Sequence, residues 1–139
     1  MSFLPEDDRA YLESKGIKYE LLIEKVSDGS ERRGILFPGF EFAGALRIVE
    51  ESKLVPRAAC DLLILIPQGY ATTQLDSFYT APWLKRIDGT DPNCATSENK
   101  SFSRTWQFWS RHLAPTEWRN GIDGLSTFLS YVRRELATA

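Results

Sequence analysis

Apolar residues fall along this chain in two rhythms, and each rhythm predicts a different element. From Lys18 to Val26, Tyr19, Leu21 and Ile23 alternate with Glu20, Leu22 and Glu24. A period of two, broken only at Leu22, predicts a half-buried strand. Asp28-Gly29 supplies a turn and Arg33 to Phe37 a second strand, so the pair reads as a hairpin. Cys60 to Ile66 is apolar on both faces, the pattern of a central strand. It stops at Pro67-Gln68-Gly69-Tyr70, and a shorter strand over Ser77 to Thr80 is closed by Pro82. Near the C-terminus the period lengthens. Ile122, Leu125, Phe128, Leu129, Val132 and Leu136 recur at spacings of three and four, which predicts an amphipathic helix with Asn120 or Asp123 as its cap. At the other end, Pro5 to Lys15 predicts a helix: proline suits its first turn, Glu6-Asp7-Asp8 complement its dipole, Gly16 closes it, and Tyr11 and Leu12 form its apolar face.

Two segments lack either rhythm. Pro38 to Pro56 (38–56) opens with the loop residues Phe37-Pro38-Gly39-Phe40, and Leu46, Val49 and Glu50 suit a short helix, so it reads as an insertion. Lys85 to Ser103 is polar and rich in Asp, Asn, Ser and Thr, which predicts a long surface loop over about 85–105. Long loops in compact domains are often functional. Together these elements predict one α+β domain over residues 1–139, an antiparallel four-stranded meander with a helix at either end.

Composition narrows the function classes. At 139 residues with 42% hydrophobic content the chain can bury a core without disulfides or a metal. Its 17 basic and 19 acidic residues nearly balance, and no basic cluster exceeds a pair such as Arg32-Arg33 or Arg133-Arg134. Nucleic acid is therefore not the expected partner. No signal-peptide pattern is present, and the longest apolar run, Leu62 to Ile66, is too short to span a membrane. Cys60 and Cys94 are not spaced as metal ligands, so no metal site is expected, and two free thiols suit a reducing cytoplasm.

Candidate chemistry crowds into Thr105-Trp106-Gln107-Phe108-Trp109-Ser110-Arg111-His112, which holds the only histidine, followed by Trp118-Arg119-Asn120-Gly121. The tryptophans suit core anchors beneath the polar loop. Ser110 suits either a turn serine bonded to backbone or a nucleophile, for which His112 is the nearby side chain with a suitable unperturbed pKa. An i, i+2 spacing puts Ser110 and His112 on one side only if the segment is extended. Arg111 suits a loop anchor or a donor to an oxyanion. Cys94, after Asp91-Pro92-Asn93 in the polar loop, is an alternative nucleophile or an incidental thiol, and Cys60 belongs to the core.

The succession Leu65-Ile66-Pro67-Gln68-Gly69-Tyr70, Asp76-Ser77-Phe78-Tyr79, Trp106 through His112, and Trp118-Arg119 resembles the prokaryotic branch of the ubiquitin-conjugating-enzyme (UBC-like, E2-type) superfamily. The resemblance runs from the first helix almost to the C-terminus. It implies a UBC-like fold and a protein that carries a ubiquitin-like modifier as an acyl group. In such enzymes the carrier cysteine precedes a tryptophan-containing turn. If Trp118 is that tryptophan, the carrier position falls at or near Ser110, which implies an oxyester or a domain that has lost the carrier step. The usual His-Pro-Asn triplet is absent. Asp91-Pro92-Asn93 is its nearest counterpart and Asn99 another candidate, while Arg119-Asn120 stand where a proline is usual.

What the resemblance implies for function is a bacterial, cytoplasmic transferase. It accepts the modifier from an adenylating (activating) enzyme on Ser110, with His112 as base and Trp106, Trp109, Arg111 and Trp118 in support. Implied partners are the ubiquitin-like protein, the activating enzyme and a deconjugating peptidase. ATP would be used by the partner, so no cofactor is expected here. The first helix and nearby sheet would dock the activating enzyme. The alternative from a different class is an inactive adaptor binding the modifier or its activating enzyme non-covalently. A Ser-His hydrolase fits less well, since the chain has no Gly-x-Ser-x-Gly elbow and no third triad member at a recognisable spacing.

Overall fold

The computed structural model describes residues 3–70 and 72–139. The first helix, α1 (Glu6–Ser14), has the predicted acidic first turn, and Gly16 follows it at φ +64°. Leu12 is fully buried and Tyr11 packs against the core. Strands β1 (Glu20–Lys25) and β2 (Glu31–Glu41) form the predicted hairpin around Asp28-Gly29.

The segment 38–56 is not helical. β2 runs through Pro38 to Glu41 by a bulge between Phe37 and Phe40, where Gly39 takes φ +63° and donates its N–H to Asp61. A bulge is one of the few places where a strand accepts a proline. The chain then forms β3 (Arg47–Glu50) and β4 (Lys53–Val55), a tight hairpin turning at Glu51-Ser52. Leu46 and Ile48 are buried, so the segment adds core rather than a surface excursion.

The central strand β5 (Ala59–Ile66) pairs with β2 on one side and β6 (Phe78–Ala81) on the other. The four-stranded antiparallel meander β1-β2-β5-β6 is therefore present. The polar segment 85–105 departs from expectation. β7 (Leu84–Lys85) joins β3 and β4 in a second small sheet, whereas β8 (Ser97–Ser101) and β9 (Arg104–Trp109) form a hairpin that extends the main sheet to six strands, ordered β1-β2-β5-β6-β9-β8. Only about residues 86–96 remain irregular.

The last helix, α2 (Leu125–Thr138), buries Leu125, Phe128, Leu129, Val132 and Leu136 as the periodicity predicts. Ile122 is a correction: it precedes the helix and is 69% exposed. The cap also differs. Asp123 accepts bonds from Arg119 and Thr127, and it is Asp8 of α1 that accepts the Leu125 N–H at 3.0 Å. Asp8 is itself buried and takes a 2.5 Å bond from the Tyr70 hydroxyl. A carboxylate at the positive end of α2 thus ties the two helices and the loop after β5 together.

The sheet has a core on each face. α1 and α2 cover Ile35, Phe37, Leu62, Ile64, Phe78 and Trp109. Leu63, Tyr79, Ala81 and Trp106 form a second cluster, with Leu22, Leu36, Leu65, Phe102 and Phe108 packed around it. Leu22, which breaks the alternation of β1, belongs to that second face. The sheet curls so that the β8–β9 turn reaches back over it: Phe102 donates its N–H to Glu24 and Arg32 donates to Ser101.

Candidate active site at the end of the sheet

β9 ends at Trp109 because the chain turns there. The Arg111 N–H bonds the Trp109 carbonyl at 2.9 Å, closing a three-residue turn centred on Ser110. Trp109 anchors this turn from below. It is fully buried, stacks on Phe78 at 5.3 Å and donates its indole N–H to Thr80 at 2.8 Å. Ser110 emerges half-buried at the surface. Its backbone N–H bonds the Cys94 carbonyl at 2.8 Å, whereas its hydroxyl has no hydrogen-bond partner among the described residues.

The loop carrying Cys94 is held against β9 by a buried amide. Gln107 accepts the Leu84 N–H at 2.7 Å and donates to the Leu84 and Ala95 carbonyls at 2.9 and 3.0 Å. Each of its polar atoms replaces a backbone bond that the irregular loop cannot make for itself. Arg111 adds a second tie. Its Nε and Nη2 reach the Asn93 carbonyl at 3.2 and 2.9 Å, and Nη1 reaches the Glu135 carbonyl at 3.3 Å. Its guanidinium also lies 4.9 Å over the Trp109 ring. All three nitrogens are engaged, so Arg111 fastens loop, strand and α2 and is not free to receive an oxyanion.

Ser110 and Cys94, two rival nucleophiles in the sequence, are therefore neighbours. Cys94 is exposed, at φ +60°, while Cys60 is buried in β5. Asn93 lies beside Cys94, whereas Asn99 sits in β8 opposite Trp106 and accepts from Ser101. Of the remaining tryptophans, Trp106 donates to the Ser101 carbonyl at 3.1 Å under the Arg104 guanidinium. Trp118 packs near Tyr70, and its indole nitrogen is buried without a partner among the described residues. Both support the surrounding chain from within the core.

His112 follows the Ser110 turn by two positions. Its Nδ1 is paired with Asp76 Oδ1, and both side chains are 55% exposed. No hydrogen bond joins His112 to Ser110 among the described residues. Asp76 appears in the sequence only within the run Asp76-Ser77-Phe78-Tyr79. Thirty-six residues separate it from His112, so no local spacing links them. Among the described residues no group of three or more His, Cys, Asp or Glu side chains is placed to hold a metal ion, and no helix is long and apolar enough to cross a membrane.

The chain thus presents, at one end of a curled antiparallel sheet flanked by two helices, a serine hydroxyl without a partner among the described residues, an exposed thiol and a carboxylate–imidazole pair. No curated protein and no solved structure matches it. The family model described as prokaryotic E2 family E matches residues 4–139, nearly the whole chain. The protein therefore belongs to prokaryotic E2 family E, a conjugating-enzyme-type family, and its fold is UBC-like.

Proposed function

We propose that this chain is an acyl carrier for a ubiquitin-like modifier, holding the modifier's C-terminal carbonyl as an oxyester on Ser110. The observation that carries the proposal is the Ser110 hydroxyl: on a half-buried residue at the centre of a turn, it lacks, among the described residues, the backbone bond that occupies an ordinary turn serine. An activating enzyme, using ATP, would present the modifier as an activated acyl group. Ser110 Oγ adds to the carbonyl carbon, its proton passes to His112 Nε2, and the tetrahedral adduct expels the activating enzyme's leaving group, which takes that proton from His112. In the second step an amine adds to the ester carbon and loses a proton to His112 Nε2, which returns it to the departing Ser110 oxygen. With the Arg111 guanidinium and the backbone N–H groups of Ser110 and Arg111 all engaged elsewhere, the oxyanion is stabilised by groups outside this turn.

A second reading is favoured by one observation, the absence of a Ser110–His112 hydrogen bond. On that reading the fold is an adaptor, binding the modifier or its activating enzyme without covalent transfer. Incubation with the cognate activating enzyme, modifier and ATP separates the two. The carrier predicts an adduct that resists thiol reductant, breaks in mild alkali, persists in Cys94→Ala and is absent from Ser110→Ala. A reductant-labile adduct lost only in Cys94→Ala moves the carrier role to Cys94. Modifier binding with no adduct in any variant establishes the adaptor.

A further inference from the structure

We infer that Asp76 is the positioning residue of this site, holding His112 in the tautomer whose Nε2 is a free base. The inference rests on the Ser110 reading for its chemical purpose and on separate geometry for its placement. In the β6–β9 ladder Phe78 stands opposite Trp109. Beyond that last pair the two chains stay together: the Gln74 side chain bonds the Leu113 carbonyl at 3.4 Å, and between those two contacts Asp76 meets His112. Asp76 thus meets His112 just beyond the last pair of the ladder, where the irregular segments leading into β6 and out of β9 run side by side.

The contact is made through Nδ1. A carboxylate only accepts, so the neutral imidazole must carry its proton on Nδ1, leaving the Nε2 lone pair to take a proton from an attacking group. Asp76 also opens onto a surface groove of about 670 Å³ whose walls include Arg32, Gln68, Thr73 and Gln74. Both side chains are 55% exposed, so the carboxylate–imidazole pair is accessible to an incoming chain. Nothing else among the described residues is hydrogen-bonded to His112, so the pairing with Asp76 is what sets the ring.

His112 is the only histidine, which makes its ring nitrogens unambiguous in a ¹⁵N-detected NMR spectrum of the intact protein. The expected result is that the neutral ring carries its proton on Nδ1 in the wild type and moves it toward Nε2 in Asp76→Asn, which lacks the carboxylate that can only accept. The rate of Ser110 charging should fall in Asp76→Asn by about 10²- to 10⁴-fold, the range for loss of a positioned base. The half-saturating concentration of the charged activating enzyme should stay unchanged, and Asp76→Glu should recover part of the rate. A wild-type ring protonated on Nε2, or equal charging rates in wild type and Asp76→Asn, overturns the inference while leaving Ser110 as carrier. The expected tautomer change in a protein that never charges supports Asp76's hold on His112 and overturns the carrier reading instead.

Discussion

Cys60 and Cys94 carry the same functional group in opposite surroundings. Burial within β5 pushes the Cys60 thiol from its ordinary 9.0 up to about 12, with a smaller push from the neighbouring Asp61 carboxylate. A thiol-reactive probe should therefore label one site in the native protein, Cys94, and reach Cys60 only on unfolding; rapid labelling of both would show that β5 opens. The shift also has a sign. The unfolded chain ionises Cys60 near pH 9 and the folded chain does not, so this contribution to stability is intact below pH 9 and fades as pH rises toward 12. Urea midpoints measured from pH 8 to 11 should fall with pH, and Cys60→Val should delay the onset. Asp8 makes a different argument at the same scale. Replacing it with alanine leaves the buried Leu125 N–H and the half-buried Tyr70 hydroxyl without their acceptor, and a buried orphan such as the Leu125 N–H costs about 1–3 kcal/mol. The melting temperature should drop by several degrees. Asp8 in the sequence is one of three acidic residues suited to a helix N-terminus, and nothing local marks it as the one that turns inward.

Hairpins decide how much can be read at the scale of elements. The β1–β2 turn contains Asp28-Gly29, the usual chemistry for a chain that must take positive φ, and its hairpin is legible. The turns Glu51-Ser52 and Phe102-Ser103 take positive φ with no glycine or asparagine. They close β3–β4 and β8–β9, the two hairpins hidden within 38–56 and 85–105. Two-residue hairpin loops need this backbone hand to match strand twist, whatever their side chains. Tertiary contacts hold Phe102 there: its ring lies over Gly34, and a Cβ added at Gly34 would come within 2.9 Å of it. Gly34→Ala should therefore lift the hairpin tip and cost about 1–3 kcal/mol, visible as faster amide exchange in residues 97–109. Ser103→Gly should act oppositely, gaining roughly 1 kcal/mol by relieving the left-handed backbone; an unchanged denaturation midpoint would mean that the turn carries no strain.

The whole molecule is a sheet with a core on each side, and this makes its own prediction. Leu62 and Leu63 are adjacent, fully buried, and belong to opposite clusters. Leu62→Ala and Leu63→Ala should each cost about 2–5 kcal/mol in chemical denaturation, as deletions within packed cores do. A negligible cost for Leu63→Ala would mean that the β8–β9 side is a surface rather than a core. By itself the sequence determined the elements whose signals are local. These are the two terminal helices, the central strand and the Asp28-Gly29 hairpin, because periodicity and turn residues act between near neighbours in the chain. Only the tertiary structure decided the extension of the sheet to six strands, the cap that Asp8 lends to α2, the meeting of Ser110 with Cys94, and the pairing of His112 with Asp76. Each depends on contacts between segments that are not neighbours in the chain, through register and burial that exist only once the sheet has formed, and no spacing along the chain records such contacts.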